Sequence, residues 1–202
     1  MSNWLLCVYR DWLSHVVSHL RQELLKQGHL HIDEPHVQVL KEPARKNTSD
    51  SYMWVYCSIR DQARPVRYFE YQPGRGGKYP EAFLKGYTGY IHTDAYSGYN
   101  GVKGVTRCLC YTHLRRAFVD ALPKDIHDPK ASKPAEAVLR LNKLFEIKKE
   151  LESLPPEQKK KERINQRKAL PVPEWFYHCD SRQLSLSAAF RLRNPFICSW
   201  LS

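Results

Sequence analysis

The sequence predicts an α/β protein with a mixed sheet flanked by helices, an appended helical hairpin and an irregular C-terminal tail. Over residues 1–123, short apolar stretches with strand alternation are interleaved with stretches of helical spacing. Residues 124–170 are charged and helical in their spacing. Residues 171–202 contain no lysine and several bulky aromatic residues without a sustained period. These three segments define the expected domain organisation.

The expected elements follow from periodicity and from turn residues. Apolar residues at helical spacing predict one amphipathic helix over 3–27, formed by Leu5, Val8, Trp12, Val16, Leu20 and Leu24. A glycine- and proline-rich loop, 72–77, separates the early strands from a second helix. The expected strands are 30–33, 37–41, 52–58, 66–71, 89–93 and 105–110. The other expected helices are 79–85, 112–122, 135–154 and 156–170.

Composition bounds the possible partners. The chain has 202 residues and a formal charge of +11, from 32 Lys plus Arg against 21 Asp plus Glu. This length excludes a two-enzyme fusion. A basic chain attracts phosphate backbones, so nucleic acid is the first partner to test. The positive charges are densest over 124–170, with 13 basic and 8 acidic residues, and composition alone favours a solvated helical face there.

The sequence indicates a soluble, cytoplasmic protein with no membrane partner. Its apolar stretches are much shorter than the roughly 20 residues of a membrane helix. Arg10 and Asp11 interrupt the apolar start, and no cleavage site follows, so a secretory signal is not expected. The six cysteines are widely scattered, which favours reduced thiols over a disulfide framework.

Two aspartates follow neighbouring predicted strands. Asp33 ends the stretch HLHI, and Asp94 ends the stretch YIHT. Carboxylates at adjacent strand ends can share Mg²⁺, which prefers oxygen ligands and keeps several waters. Aspartates also end strands as turn formers, and without further information that alternative is favoured.

Several blocks carry a resemblance to a known family. They are LHIDEPHVQVLKEP at 30–43, SYMWVY at 51–56, YFEY with Pro73, Gly74 and Arg75, GYTGYIHTDAYSGYN at 86–100, CYTHLRRAF at 110–118 and LNKLFEI at 141–147. Together they resemble the transposases of the insertion-sequence sixty-six group. The resemblance covers roughly residues 1–176.

The resemblance implies a fold and an activity. The family has an RNase H-like catalytic domain, with an Asp-Asp-Glu triad and Mg²⁺ or Mn²⁺, that cuts and joins DNA at transposon ends and target. Asp33 and Asp94 take the first two triad positions as catalytic metal ligands. Glu34 is left out, because alternation points it to the opposite face. His113, Arg115, Arg116 and Arg75 are the expected DNA-binding residues, with a solvated helix end as the alternative for the first three.

The chain also departs from the family pattern. Nothing after Leu170 resembles the helix that carries the third acidic residue, and Glu174 and Asp180 lack matching surroundings. We expect the chain to lack the family's N-terminal zinc-binding and DNA-recognition region, and Pro35 stands where threonine is common in the family. One back-translation of the tail, read out of phase, resembles the missing helix and predicts a frameshift within 177–192. We therefore expect a truncated, inactive transposase.

Two alternatives and two minor sites remain open. In the first alternative, the chain is a non-catalytic DNA-binding or partner-binding remnant that pairs with an intact transposase through residues 124–170. A second copy of the chain is the other expected partner. In the second alternative, the chain is a product that does not fold. Cys108, Cys110 and His113 lack the paired knuckles of structural zinc, so a packed core cysteine is favoured. His31 and His92 share strand faces with the two aspartates, as ligands or as buried neighbours.

Overall fold

The computed structural model describes residues 3–59, 65–122 and 132–168. The helices in these ranges are α1 (Asn3–Val8), α2 (Ser14–Leu25), α3 (Lys78–Phe83), α4 (Tyr111–Asp120), α5 (Lys133–Glu150) and α6 (Pro156–Lys168). The strands are β1 (His29–Asp33), β2 (His36–Gln38), β3 (Asp50–Ser58), β4 (Arg67–Gln72), β5 (Tyr90–Thr93) and β6 (Thr106–Leu109). A π-helical turn, Tyr9–Leu13, joins α1 to α2, and a 3₁₀ turn, Ser97–Gly101, follows β5.

The strands form one mixed sheet, which confirms the predicted α/β class. Its order is β2-β3-β1-β5-β6. Strand β3 also pairs with β4, along the edge opposite to β1. Strand β1 runs antiparallel to β3 and parallel to β5. Strand β6 begins beside β5, where the Thr106 N–H donates to Gly89 O at 2.8 Å. The parallel β1–β5 pair is what brings the two strand ends predicted to carry the site to the same edge.

The chain divides into two compact units, which are Met1–Arg107 and Cys108–Ser202. The core of the first unit lies against the sheet and is mostly aromatic and aliphatic. It contains Leu24, Leu30, Ile32, Trp54, Tyr56, Val66, Phe83, Leu84, Tyr87, Ile91 and Tyr99. Tyr56 and Phe83 stack with ring centroids 3.6 Å apart. Such aromatic contacts add to the stabilisation from burial.

The second unit has its own small core, formed where α4 packs against α5. Phe118, Ala137 and Leu141 are buried there. The Ser132 hydroxyl caps α5 by accepting from the Ala135 N–H at 3.3 Å, and Pro134 stands in the first turn. In the described ranges α4 therefore groups with the helices that follow it. The predicted boundary at residue 123 and the predicted tail, 171–202, lie outside those ranges.

The N-terminal helix forms as predicted, but its apolar side is not covered in the described part of the chain. Leu24 is fully buried, whereas Trp12 is 73% exposed. Leu5, Val8, Val16 and Leu20 are also exposed. The helix is held at its C-terminal half, where the Arg21 guanidinium donates to Phe83 O at 2.6 Å. Periodicity thus predicted the helix correctly, and burial is confined to one end of it.

The helices and the cysteines of the described ranges bear on the predictions about membranes and disulfides. None of the helices in the three described ranges combines the length and apolarity needed to span a membrane. Cys7, Cys57, Cys108 and Cys110 are all thiols. The other two cysteines, Cys179 and Cys198, fall outside those ranges.

Candidate functional site

The register of β1 against β5 positions the two predicted aspartates. His29 pairs with Tyr90, Leu30 with Ile91, and His31 with His92. Extending this register by two residues sets Asp33 opposite Asp94 at the end of the sheet. Residues paired in this way point to the same face, because side chains alternate along each strand with period two.

The two histidines confirm that face. His31 and His92 stack with ring centroids 4.7 Å apart and 19° between their planes. His29 and Tyr90 stack at the same centroid distance, 4.7 Å. A row of paired rings therefore leads along the two strands toward the aspartates, as the alternation predicted. His92 is buried, and His31 is half-buried.

Asp33 and Glu34 alternate in exposure as predicted. Asp33 is exposed, and one of its oxygens accepts from the Glu34 N–H at 3.1 Å. Glu34 is buried on the side of Leu30 and Ile32. A carboxylate in such a position requires compensating partners.

Arg75 provides that compensation and also reaches Asp94. Its Nε donates to Glu34 Oε1 at 2.8 Å, and its Nη2 donates to the same oxygen at 2.5 Å. Nη2 also donates to Asp94 Oδ2 at 3.1 Å. The exposed fractions of these side chains are 1% for Glu34, 23% for Asp94 and 38% for Arg75. One half-buried guanidinium therefore bridges two carboxylates.

Tyr99 completes the surroundings of Glu34. Its hydroxyl donates to Glu34 Oε2 from a fully buried ring. Burial raises the pKa of the Glu34 carboxyl, and the hydrogen bonds from Tyr99 and Arg75 oppose that rise. Burial and the neighbouring Glu34 charge also raise the pKa of Tyr99, so the phenol remains a hydrogen-bond donor at neutral pH.

Arg107 holds the backbone around Asp94. Its guanidinium donates to Asp94 O at 2.8 Å and to Tyr96 O at 2.7 Å. It also donates to Thr93 Oγ1 at 2.9 Å and to Asn100 Oδ1 at 2.6 Å. The Tyr96 N–H donates to Asp94 Oδ1 at 3.0 Å. The turn that carries Asp94 is thereby fixed by both side-chain and backbone contacts.

The loop that carries Arg75 packs against this turn. The guanidinium lies 3.9 Å from the centroid of the Tyr96 ring, and the Tyr96 hydroxyl donates to Arg75 O at 2.8 Å. Gly77 has a steric role, because a Cβ there would stand 2.5 Å from Gly98 O. Only glycine permits the two segments to approach this closely.

The other predicted DNA-binding residues lie on α4, in the second unit. Arg116 is exposed. The Arg115 Nε donates to Asn142 Oδ1 at 2.6 Å, so this guanidinium contacts α5. His113 is half-buried and hydrogen-bonds the thiol of Cys110, the residue preceding the helix. Burial opposes ionisation of that thiol, but hydrogen bonds from His113 and from the Thr112 and His113 N–H groups lower the pKa of Cys110 to about 7.

The donor set at the strand ends fits a hard divalent cation. Mg²⁺ is usually bound through one or two carboxylates and several waters, and Asp33 and Asp94 supply carboxylate oxygens on adjacent strands. Within the described ranges, no group of three or more His, Cys, Asp or Glu side chains is arranged to hold a metal. Cys108, Cys110 and His113, which lie in the described part of the chain, do not form such a group.

Sequence reasoning placed Asp33 and Asp94 at the ends of neighbouring strands, as the structure has them, but missed how Asp94 is held. Glu34, Tyr99 and Arg107 were not predicted as site residues, and Arg75 was predicted to contact DNA rather than carboxylates. A usable signal was present for one of them: Glu34 directly follows β1 on its core-facing side, and a buried glutamate needs a basic partner. No local pattern marks Arg107, which lies 13 residues beyond Asp94.

The fold and site define an α/β protein with acidic residues at the ends of two parallel neighbouring strands, where Arg75 bridges Glu34 and Asp94. The chain belongs to the IS66 family of transposases, which it matches over residues 1–194. The match extends past residue 176, where the resemblance in the sequence was expected to end, and through the stretch in which a frameshift was predicted.

Two longer proteins of Sinorhizobium fredii (strain NBRC 101917 / NGR234) are similar to the chain. The uncharacterized protein y4hP is 28% identical over an alignment of 162 residues that covers 71% of this chain and 28% of y4hP. The uncharacterized protein y4qI is 23% identical over an alignment of 165 residues that covers 70% of this chain and 29% of y4qI. The chain thus spans less than a third of these relatives. No solved structure matches it significantly.

Proposed function

We propose that this chain contributes the first two acidic positions of a DDE-type transposase site, with Asp33 and Asp94 as ligands for Mg²⁺ or Mn²⁺. The observation that carries this proposal is the parallel register of β1 and β5, which sets the two residues opposite each other. The substrate of such a site is DNA, at transposon ends and at the target. An RNase H-like assignment of the sheet is part of the same proposal, supported by its mixed strand directions.

The residues around Asp94 have positioning roles in this proposal. A bound divalent ion would activate an attacking oxygen and stabilise a leaving oxygen on phosphorus. Arg107 fixes the backbone that presents Asp94, and the Tyr96 N–H orients one carboxylate oxygen. Such prior orientation is what a metal site requires of its surroundings. Asp33, being exposed, presents its carboxylate to solvent.

We also propose that this chain alone does not complete DNA strand transfer. The resemblance assigns the third acidic position to a helix beyond residue 170. The family match reaches residue 194, but the acids in that stretch, Glu174 and Asp180, lack surroundings that match the position. Two carboxylates can hold a metal, but the loss of a third removes the charge and geometry that two-metal chemistry uses. Binding of metal and DNA is therefore the appropriate measurement.

The test is a Mn²⁺ titration of the purified full chain, followed by isothermal calorimetry or by the electron paramagnetic resonance of free Mn²⁺. Asp33→Asn and Asp94→Asn should each weaken binding by roughly tenfold or more, because each removes one charged ligand. Asp50→Asn is the matched control, since it removes an exposed carboxylate from the same unit. Equal affinities for all four proteins would contradict the proposed metal site.

A second candidate is a non-catalytic role in binding DNA or a transposase partner. The observation that favours it is helix α6, where Lys160 and Lys161 are exposed beside Lys159 and Arg163. Under this candidate the chain binds duplex DNA in a salt-sensitive manner. Asp94→Asn would leave that binding unchanged. The partner would be an intact transposase or a second copy of the chain.

A further inference from the structure

We propose that Arg75 is a built-in cation that competes with a divalent metal for the Asp94 carboxylate. This inference rests on the proposed function of Asp94. The same nitrogen, Arg75 Nη2, lies 2.5 Å from Glu34 Oε1 and 3.1 Å from Asp94 Oδ2. The guanidinium therefore already supplies positive charge to an oxygen that a metal would use.

The position of the guanidinium is set by contacts that do not involve Asp94. The Trp54 Nε1 donates to Gly74 O at 3.3 Å, and the Tyr96 hydroxyl donates to Arg75 O at 2.8 Å. The Tyr96 ring covers one face of the guanidinium at 3.9 Å. Arg75 is thus held by its backbone, by an aromatic face and by Glu34, unlike a freely moving surface arginine.

Glu34 is the reason that Arg75 stays beside Asp94. Its side chain is 1% exposed, so its charge requires a partner inside the protein. Arg75 donates to it through two nitrogens and to Asp94 through one of the same nitrogens. Glu34 therefore retains the cation next to the proposed metal ligand. A second cation at Asp94 is repelled across a few ångströms in a partly desolvated site.

The experiment measures Mn²⁺ affinity in the full chain. Arg75→Met should bind Mn²⁺ at least roughly tenfold more tightly than the original chain, because the competing charge is gone. Arg75→Lys keeps the charge and should stay within about threefold of the original affinity. Arg10→Met is the matched control, because it removes one exposed arginine from the N-terminal helix. Its affinity should not change.

A double variant guards against an uncompensated buried carboxylate. Glu34→Gln combined with Arg75→Met removes both charges of the buried pair and should also bind more tightly than the original chain. Glu34→Gln alone removes one of the two carboxylates that Arg75 bridges, so the guanidinium pairs with Asp94 alone. This variant should bind Mn²⁺ more weakly than the original chain. Thermal unfolding of each variant verifies that the protein being titrated is folded. Unfolding alone cannot produce tighter binding.

The outcomes separate this inference from the proposed function. If Asp94→Asn abolishes Mn²⁺ binding but Arg75→Met leaves the affinity unchanged, the competition is refuted and the metal site stands. If no variant shows Mn²⁺ binding that depends on Asp94, both are refuted. Tighter binding in Arg75→Met and in the double variant, lost again when Asp94→Asn is added, supports the competition.

Discussion

Cys110 has surroundings that favour ionisation of its thiol. It precedes α4, where the first N–H groups of the helix have no helical acceptor. The Thr112 and His113 N–H groups and the His113 ring hydrogen-bond its sulfur, and these contacts outweigh the burial that opposes the charge. The result is a pKa of about 7 for a group whose ordinary value is 9.0.

The rate of alkylation of Cys110 should therefore rise with pH around neutrality. The rate with iodoacetamide, followed by peptide mass spectrometry, should be half-maximal near the pKa of about 7. His113→Ala should move that midpoint upward, because it removes a hydrogen bond to the thiolate. Cys7, which is exposed, is the control in the same sample. An unchanged Cys110 midpoint in His113→Ala would contradict the assignment.

The lowered pKa of Cys110 also makes the free energy of unfolding depend on pH. In the unfolded chain the thiol keeps its proton up to its ordinary pKa of 9.0, whereas in the folded chain it loses the proton near 7. Between these values the unfolded state binds more protons, so this group adds stability as the pH rises. The contribution is complete above the ordinary pKa and is lost as the pH falls through the folded pKa.

At the residue scale, the sequence identified the acids that end two strands but not the arginines that hold one of them. Asp33 and Asp94 are visible because local patterns mark strand ends. The Glu34–Arg75 and Asp94–Arg107 contacts join residues 41 and 13 positions apart. Such pairs follow from the tertiary fold, and one sequence carries no information on which distant charges meet.

Helix α5 offers a test of the second unit's core at the scale of one element. Leu141 is 2% exposed and packs with Phe118 and Ala137, whereas Leu139, two residues earlier, is 45% exposed. Leu141→Ala should lower the free energy of unfolding by about 2–4 kcal/mol, because it leaves a cavity. Leu139→Ala should change it by less than about 0.5 kcal/mol. Urea denaturation followed by circular dichroism measures both.

Equal effects of these two substitutions would contradict the described packing of α4 against α5. A loss in Leu139→Ala alone would mean that α5 presents its other face to the core. The helix is a favourable place for this comparison, because both positions have the same side chain and lie within one helix.

Most elements were predicted to within a few residues of their observed bounds. Strand β3 begins two residues before its predicted start, at Asp50, and β1 begins at His29. Strand β2 is shorter than predicted and ends at Gln38, before a turn in which Lys41 has a φ of 58°. The turn is closed by the Lys41 N–H, which donates to Asn47 Oδ1 at 3.0 Å. Propensity alone does not reveal this side-chain contact.

The exposed face of the N-terminal helix shows a second limit of pattern analysis. Periodicity measures whether apolar residues share one side of a helix, and the predicted helix is present in the structure. It does not measure what covers that side. Trp4 and Trp12 are both more than half exposed within the described structure, while Leu24 on the same helix is fully buried.

At the scale of the whole molecule, the proposed binding of DNA depends on the net charge of the chain. The formal charge is +11. A protein that neutralises phosphates releases counterions, so its affinity for duplex DNA falls as salt rises. The two relatives from Sinorhizobium fredii are more than three times as long as the segment they share with this chain. Under the proposed function, the basic charges of this chain contribute to DNA binding.

The salt dependence of DNA binding tests whether α6 makes that contribution. Affinity for a duplex of arbitrary sequence should fall steeply between about 50 and 200 mM salt. Lys160→Ala combined with Lys161→Ala should reduce the slope of log affinity against log salt by about 2, because each phosphate that is no longer neutralised lowers it by about 0.9. Lys26→Ala is the control, because this lysine already pairs with Glu23 at 2.6 Å. Fluorescence anisotropy measures the affinity of the original chain and of both variants.

An unchanged slope in the double variant would mean that other basic residues contact the phosphates. Arg75 would not be one of them while its guanidinium bridges Glu34 and Asp94.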